Sequence, residues 1–240
     1  MIKLFEKAEK KIGVEFKNKK FLETALTHRS YLNENQQIDK HNERLEYLGD
    51  AVLEFLVSKY LFKNYPKKPE GELTSFRSAT VKTTTLADTS RELDFGKYLR
   101  MSKGEENTGG RDKDYLLANT FEAVLGAIYL DQGIKAAESY LKRVLFHKIS
   151  DIVENRLDID PKTKFQELAQ ELHKVTPSYE LISEVGPDHE KEFTMAVYLG
   201  SRKYGTGIGA SKQKAEESAA EAALEKIQKE LKKKKSALSA

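Results

Sequence analysis

Cysteine is absent from the chain, so neither a disulfide framework nor thiolate chemistry is open to it, and a reducing compartment is the expected setting. Long apolar runs are missing too. The longest, Ala123 to Leu130, falls far short of the ~20 residues a membrane-spanning helix needs, and the opening MIKLFEKAEKKIG has no apolar segment of the leader-peptide kind. A soluble cytoplasmic protein with no membrane attachment is expected. An excess of one sign of charge is also lacking. Charged residues make up 33% of the 240, yet the formal net charge is +3, and four of the positive charges stand together at Lys232 to Lys235. Bulk charge therefore does not mark a nucleic-acid binder, and any such affinity has to come from a local patch. Strand-type alternation is missing from the first 150 residues, and the five histidines form no triad.

What is present suits two domains of unequal size, with 39% hydrophobic residues to fill their cores. Helical periodicity runs at about 2–12, 20–31, 43–63, 72–80, 84–93, 95–100, 115–131 and 134–148, interrupted by turn signals at Asn64 to Pro69 and Gly104 to Gly110. The Gly109–Gly110–Arg111 loop reads equally as a connection or as a substrate contact. His28, in LTHRSY, reads as a packing or capping histidine.

The segment His41 to Leu56, HNERLEYLGDAVLEFL, carries chemistry. Glu43, Glu46, Asp50 and Glu54 are spaced three, four and four, which at ~3.6 residues per turn puts them on one stripe of a helix. Such a stripe is most often a solvated face. Here apolar residues occupy nearly every other direction, so some of the acids must lie near apolar surroundings, where an unpartnered carboxylate is costly. The partner could be Arg44, a base on another helix, or a divalent cation. A second helix, Tyr115 to Asp131, has Asn119, Glu122 and Gly126 as its one non-apolar stripe. If the two stripes meet, Glu46, Asp50, Asn119 and Glu122 form an oxygen-only cluster, which suits Mg²⁺ or Mn²⁺ rather than zinc. Phosphoryl chemistry is the usual work of such sites.

These stretches resemble the ribonuclease III family. NERLEYLGDA, Asn42 to Ala51, is close to the family signature, and LANTFEAVLGAIYLD, Leu117 to Asp131, is similar to its second acidic helix. ALTHRSY at Ala25 to Tyr31, EGELTSFRSATV at Glu70 to Val81 and KGEENTGGRDKD at Lys103 to Asp114 agree as well. One position departs: where the family pattern has Asp, this chain has Asn119, whose amide oxygen can ligate a cation but brings no negative charge.

After a linker at 151–161, DIVENRLDIDP, the pattern changes. A helix at about 162–173 is followed by strands at Ser178 to Val185, Phe193 to Leu199 and Lys203 to Ile208, then by a helix from Ser211 to about Leu231. This α-β-β-β-α order, with TKFQELAQ at Thr163 to Gln170, PSYELISEVGPDHEKEF at Pro177 to Phe193 and GIGASKQKAEESAAEAAL at Gly207 to Leu224, resembles the double-stranded-RNA-binding domain. Ala215, Ala219, Ala222 and Ala223 make one face of the last helix small enough to lie close on a sheet. Its N-terminus, with Ser211, Lys212 and Lys214, forms an anion site.

The fold expected is therefore multidomain: an all-α endonuclease domain at 1–150, the linker, a small α+β module at 162–231, and a basic, disordered tail at 232–240. The resemblance implies a double-stranded-RNA endonuclease acting in ribosomal and messenger RNA processing, dependent on Mg²⁺ with Mn²⁺ as substitute, that leaves 5′-phosphate and 3′-hydroxyl ends. Glu46, Asp50, Asn119 and Glu122 would be its metal ligands, the three acids among them catalytic, and Glu43 an auxiliary. Glu54 is expected to be structural or auxiliary. The resemblance further implies a homodimer through the helical domain, with Tyr47 inserted into the partner. In the second domain Gln166, Glu167 and the loop from Pro187 to His189 would face minor grooves over ~16 bp, and Lys212 and Lys214 the phosphates. Gln213 stands where a second base is often found. Two rival readings remain: an RNA-binding protein without catalysis, which Asn119 favours and intact Glu46, Asp50 and Glu122 oppose, and a DNA-directed nuclease, which the second module opposes.

Overall fold

The computed structural model describes residues 2–187 and 190–238, which divide into two compact units, one ending at Asp158 and the other beginning at Ile159. Among the described residues no helix is long and apolar enough to cross a membrane.

The first unit is helical. Its elements are α1 (Ile2–Ile12), α2 (Lys19–Ala25), a 3₁₀ turn (Arg29–Asn33), α3 (Glu43–Asn64), α4 (Glu70–Val81), α5 (Thr83–Glu92), α6 (Phe95–Tyr98), α7 (Lys103–Asn107), a second 3₁₀ turn (Gly110–Asp112), α8 (Asp114–Gln132), α9 (Ile134–Val144) and α10 (His147–Asn155). Helix α8 is apolar nearly all round and takes the centre, with α2, α3, α5 and α9 packed about it. Phe16, Phe76, Phe95, Phe121 and Tyr140 are all but completely buried in the same core as Leu53, Leu56 and Leu61 of α3. Burying a side chain of this size is worth ~1.5–3 kcal/mol, so the long helices are held by packing more than by propensity.

The structure corrects the sequence reading in several places. The single helix expected at 20–31 is broken, because Thr27 forms a backbone bridge to Arg100 and His28 caps the 3₁₀ turn, its Nδ1 accepting from Ser30 N at 3.3 Å. The helix expected at 134–148 is two helices parted at Leu145, and the linker expected to start at 151 starts later, since α10 runs to Asn155 with Ile149 and Ile152 buried. Helix α7 was hidden within a turn-like stretch; Ser102 caps it, accepting from Glu105 N at 3.1 Å.

The second unit comprises α11 (Pro161–His173), β1 (Ser178–Val185), β2 (Glu192–Leu199), β3 (Arg202–Gly209) and α12 (Lys212–Leu238). The sheet is antiparallel in the order β1-β2-β3, with a register irregularity between Leu181 and Ser183. Asp160 caps α11, accepting from Lys162 N and Thr163 N at 3.0 Å, and Pro161 follows at the first helical position, where its missing N–H is no loss. Phe165 and Ala169 of α11 meet Val197, Leu199 and Tyr204 of the sheet and Ala219, Ala220 and Ala223 of α12 in one core. A Cβ at Gly205, Gly207 or Gly209 would stand 2.8 Å from Ala223 N, 2.5 Å from the Ser218 carbonyl carbon or 2.6 Å from Ala215 N, so α12 lies with its backbone against β3. Of the expected small face, Ala215, Ala219 and Ala223 are fully buried and Ala222 is half-buried. Helix α12 runs on to Leu238 rather than ending near 231 in a disordered tail, because the lysine run contains no Gly or Pro to stop it.

Candidate active site and RNA interface

Helices α3 and α8 cross at two glycines. A Cβ at Gly49 would stand 2.6 Å from the carbonyl carbon of Glu122, and a Cβ at Gly126 3.1 Å from Gly49 N and 3.2 Å from the carbonyl carbon of Leu45. Because Leu45 meets 126 and Gly49 meets 122, the helices run antiparallel, backbone against backbone. Each mid-helix glycine costs ~1 kcal/mol of propensity relative to Ala. The close approach is what they provide in return. Gly49 and its neighbour in space were not singled out together from the sequence; the signal available was a glycine inside an otherwise strong helical pattern.

The predicted ligands lie on either side of this seam. Glu46 and Asp50 flank Gly49 on α3, and Asn119 and Glu122 lie on the facing part of α8. The Glu122 carboxyl is half-buried and pushed from its ordinary 4.5 up to about 8, first by burial, then by the charges of Asp50, Glu46 and Glu54. Glu46 is raised in the same direction by burial and by Glu43 and Asp50, with the polar amide of Asn119 opposing the rise. No base contributes to either shift.

The remaining acids have partners elsewhere. Glu54 is held by Arg77 of α4, with Nε at 2.9 Å, and Arg77 Nη1 also donates to Ser58 Oγ at 3.1 Å. Glu43 faces Arg29 Nη1 at 3.5 Å and His41 Nδ1 at 3.8 Å. Arg44, one of the partners considered, is exposed and makes no ion pair among the described residues. Arg111 anchors its own loop, donating to Gly96 O at 2.6 Å and Leu99 O at 2.9 Å.

The donor set at the seam is three carboxylates and an amide, all oxygen, which is the chemistry of a hard divalent cation. Mutual repulsion unrelieved by any base is what such a cation would remove, so the residues fit one. Among the described residues no three acidic or histidine side chains are already gathered into a chelate. Closing one requires side-chain rotation on backbones that are already in contact.

On the second unit, Gln166 and Glu167 are exposed on α11, and Pro187 is exposed in the turn after Gly186, where Glu190 N donates to Pro187 O at 2.9 Å. His189 lies outside the described residues. Ser211 caps α12, its Oγ accepting from Lys214 N at 3.2 Å. Lys212 and Lys214 are exposed beside it, Lys214 sharing its charge with Glu217 at 3.1 Å, to which Gln213 also donates. Tyr47 projects from α3 into solvent, 82% exposed.

A helical domain with acidic residues on both sides of a helix crossing, followed in the chain by an α-β-β-β-α module with lysines at a helix N-terminus, has the make-up of a two-domain nucleic-acid enzyme. Residues 18–149 match the ribonuclease-III-like family model, and residues 161–227 the double-stranded RNA binding motif. Ribonuclease 3 of Streptococcus thermophilus is 45% identical over 95% of this chain and 99% of its own length, and that of Streptococcus mutans 46% over 92% and 97%. The solved nuclease domain of ribonuclease III from Campylobacter jejuni is 40% identical with a TM-score of 0.55, covering 58% of this chain and 94% of that one. The chain belongs to the ribonuclease III family and is a double-stranded-RNA endoribonuclease. The binding-only alternative raised by Asn119 is not indicated. The family depends on divalent metal.

Proposed function

We propose that the chain hydrolyses duplex RNA in the cytoplasm with Mg²⁺, or Mn²⁺ in its place, held by Glu46, Asp50, Glu122 and the side-chain carbonyl of Asn119, leaving 5′-phosphate and 3′-hydroxyl ends. The observation that carries this reading is Glu122, a half-buried carboxyl facing acids and no base. When bound, the cation supplies positive charge at the scissile phosphate and acidifies water there. The chain's own groups prepare for it. Glu122 holds a proton at its carboxyl until a cation replaces it, Asn119 sets a neutral amide beside Glu46, and Arg77 pairs with Glu54. Glu43, paired with Arg29, is the auxiliary acid at the rim. In the second unit Gln166, Glu167, Pro187 and His189 would face the minor grooves, and Ser211, Lys212 and Lys214 the phosphates between them.

One seam cuts one strand. A homodimer supplies the second, and an exposed stripe on one face of α3 supports it: Tyr47, Phe55 at 57% exposure and Phe62 at 78%. In the Campylobacter jejuni nuclease domain a region involved in dimer formation shows structural flexibility.

The test is Glu122→Gln on a long perfect RNA duplex. Cleavage should vanish while RNA binding stays within about twofold. Cleavage at the wild-type rate would remove Glu122 from the site.

A further inference from the structure

We propose that Gly49 and Gly126 are positioning residues for the cation site, setting through the helix separation how closely the α3 and α8 ligands can converge. This rests on the metal reading above. Each glycine meets backbone of the opposite helix and not a side chain that could rotate away: Gly49 the carbonyl of Glu122 and, at 3.0 Å, Gly126 N; Gly126 the carbonyl of Leu45 and Gly49 N. The group pressed by Gly49 belongs to a proposed ligand, and the group pressed by Gly126 is one residue before another, Glu46. Any Cβ at 49 must move the Glu122 carbonyl carbon from 2.6 Å to the ordinary contact distance of 3.4 Å, and rigid helices transmit that displacement to Asn119 and Asp50 as well.

Asp50, with the shortest acidic side chain there is, has little reach in reserve, and no three acids of the seam stand as a chelate among the described residues. Mg²⁺ demands near-ideal octahedral geometry at about 2.0–2.1 Å, whereas Ca²⁺ accepts 2.3–2.6 Å and irregular shells. Widening the seam should therefore weaken small-cation binding first.

The experiment is an electron paramagnetic resonance titration of free Mn²⁺ against the full chain without RNA, with Mg²⁺ and Ca²⁺ as competitors. Gly49→Ala should weaken Mn²⁺ at least tenfold and shift competition in favour of Ca²⁺, with Gly126→Ala following in the same direction. Adding Asp50→Glu to Gly49→Ala, which lengthens the ligand by one methylene, should recover part of the loss, although Asp50→Glu alone should weaken binding. Ile149→Ala, a cavity in α10 away from the seam, serves as a control for simple destabilisation and should bind Mn²⁺ within twofold of the wild type. If Gly49→Ala does not fold, Gly126→Ala carries the test. Glycine variants that bind Mn²⁺ as the wild type does, or an Ile149→Ala loss of the same size, would overturn the proposal. A wild-type chain that binds no Mn²⁺, or a Glu122→Ala variant that binds it undiminished, would instead overturn the underlying metal reading.

Discussion

Asn119 lies beside Glu46 across the seam, and its neutral amide opposes the rise in the Glu46 pKa, which an aspartate there could not do. With a cation present the same residue contributes only a neutral oxygen. Asn119→Asp should therefore act in opposite directions: the metal-free protein melts lower as a further carboxylate joins the acids at the seam, while Mn²⁺ binds more tightly and cleavage at limiting Mg²⁺ speeds up. Melting curves with and without Mn²⁺ and a Mg²⁺ titration of cleavage check both halves; an unchanged metal-free melting temperature would refute the first. Glu122 adds a pH dependence. Its carboxyl keeps a proton up to about 8 in the fold but loses it near 4.5 once unfolded. The stability this gives is complete below pH 4.5 and is lost as the pH climbs through 8. The metal-free melting temperature should fall between pH 5 and 8, and Glu122→Gln should flatten that part of the curve. Below pH 8 a binding cation must also expel this proton, so Mn²⁺ affinity should rise with pH and calorimetric heats should vary with the buffer's ionisation enthalpy.

At the scale of elements, what could be read in advance followed from period and side-chain type. The acidic stripes on α3 and α8 were visible from three-four spacing, and the module α11-β1-β2-β3-α12 from a change of period, with β1 found at the limits expected. Backbone contacts were not visible. Gly49 against Glu122, the break at Thr27 imposed by Arg100, and the parting of α9 from α10 at Leu145 each depend on a partner remote in sequence or on packing direction. The same limit applies to charge: spacing grouped Glu54 with the other acids, but only the fold shows that Arg77 from α4 pairs with it. For α12, the cap Ser211 and the flanking lysines predict an effect with a clear signature. Lys212→Glu with Lys214→Glu should weaken duplex RNA binding and flatten the dependence of log affinity on log salt, by roughly 0.7–0.9 for each phosphate no longer neutralised. An unchanged slope would place the phosphates elsewhere.

At the scale of the whole molecule, the exposed aromatics Tyr47, Phe55 and Phe62 on α3 are a departure from what a solitary domain should present. Replacing Phe55 and Phe62 by aspartate should yield a folded monomer in sedimentation velocity runs that still binds duplex RNA through its second unit and has lost coordinated double-strand cutting. A dimer surviving both changes would relocate the interface. The glycine seam has a consequence of a different kind. Every other amino acid carries a Cβ, so each point mutation at codon 49 or 126 that changes the residue forces the two helices apart. Substitutions at these two positions should therefore be tolerated far less than substitutions on the exposed faces of the same helices.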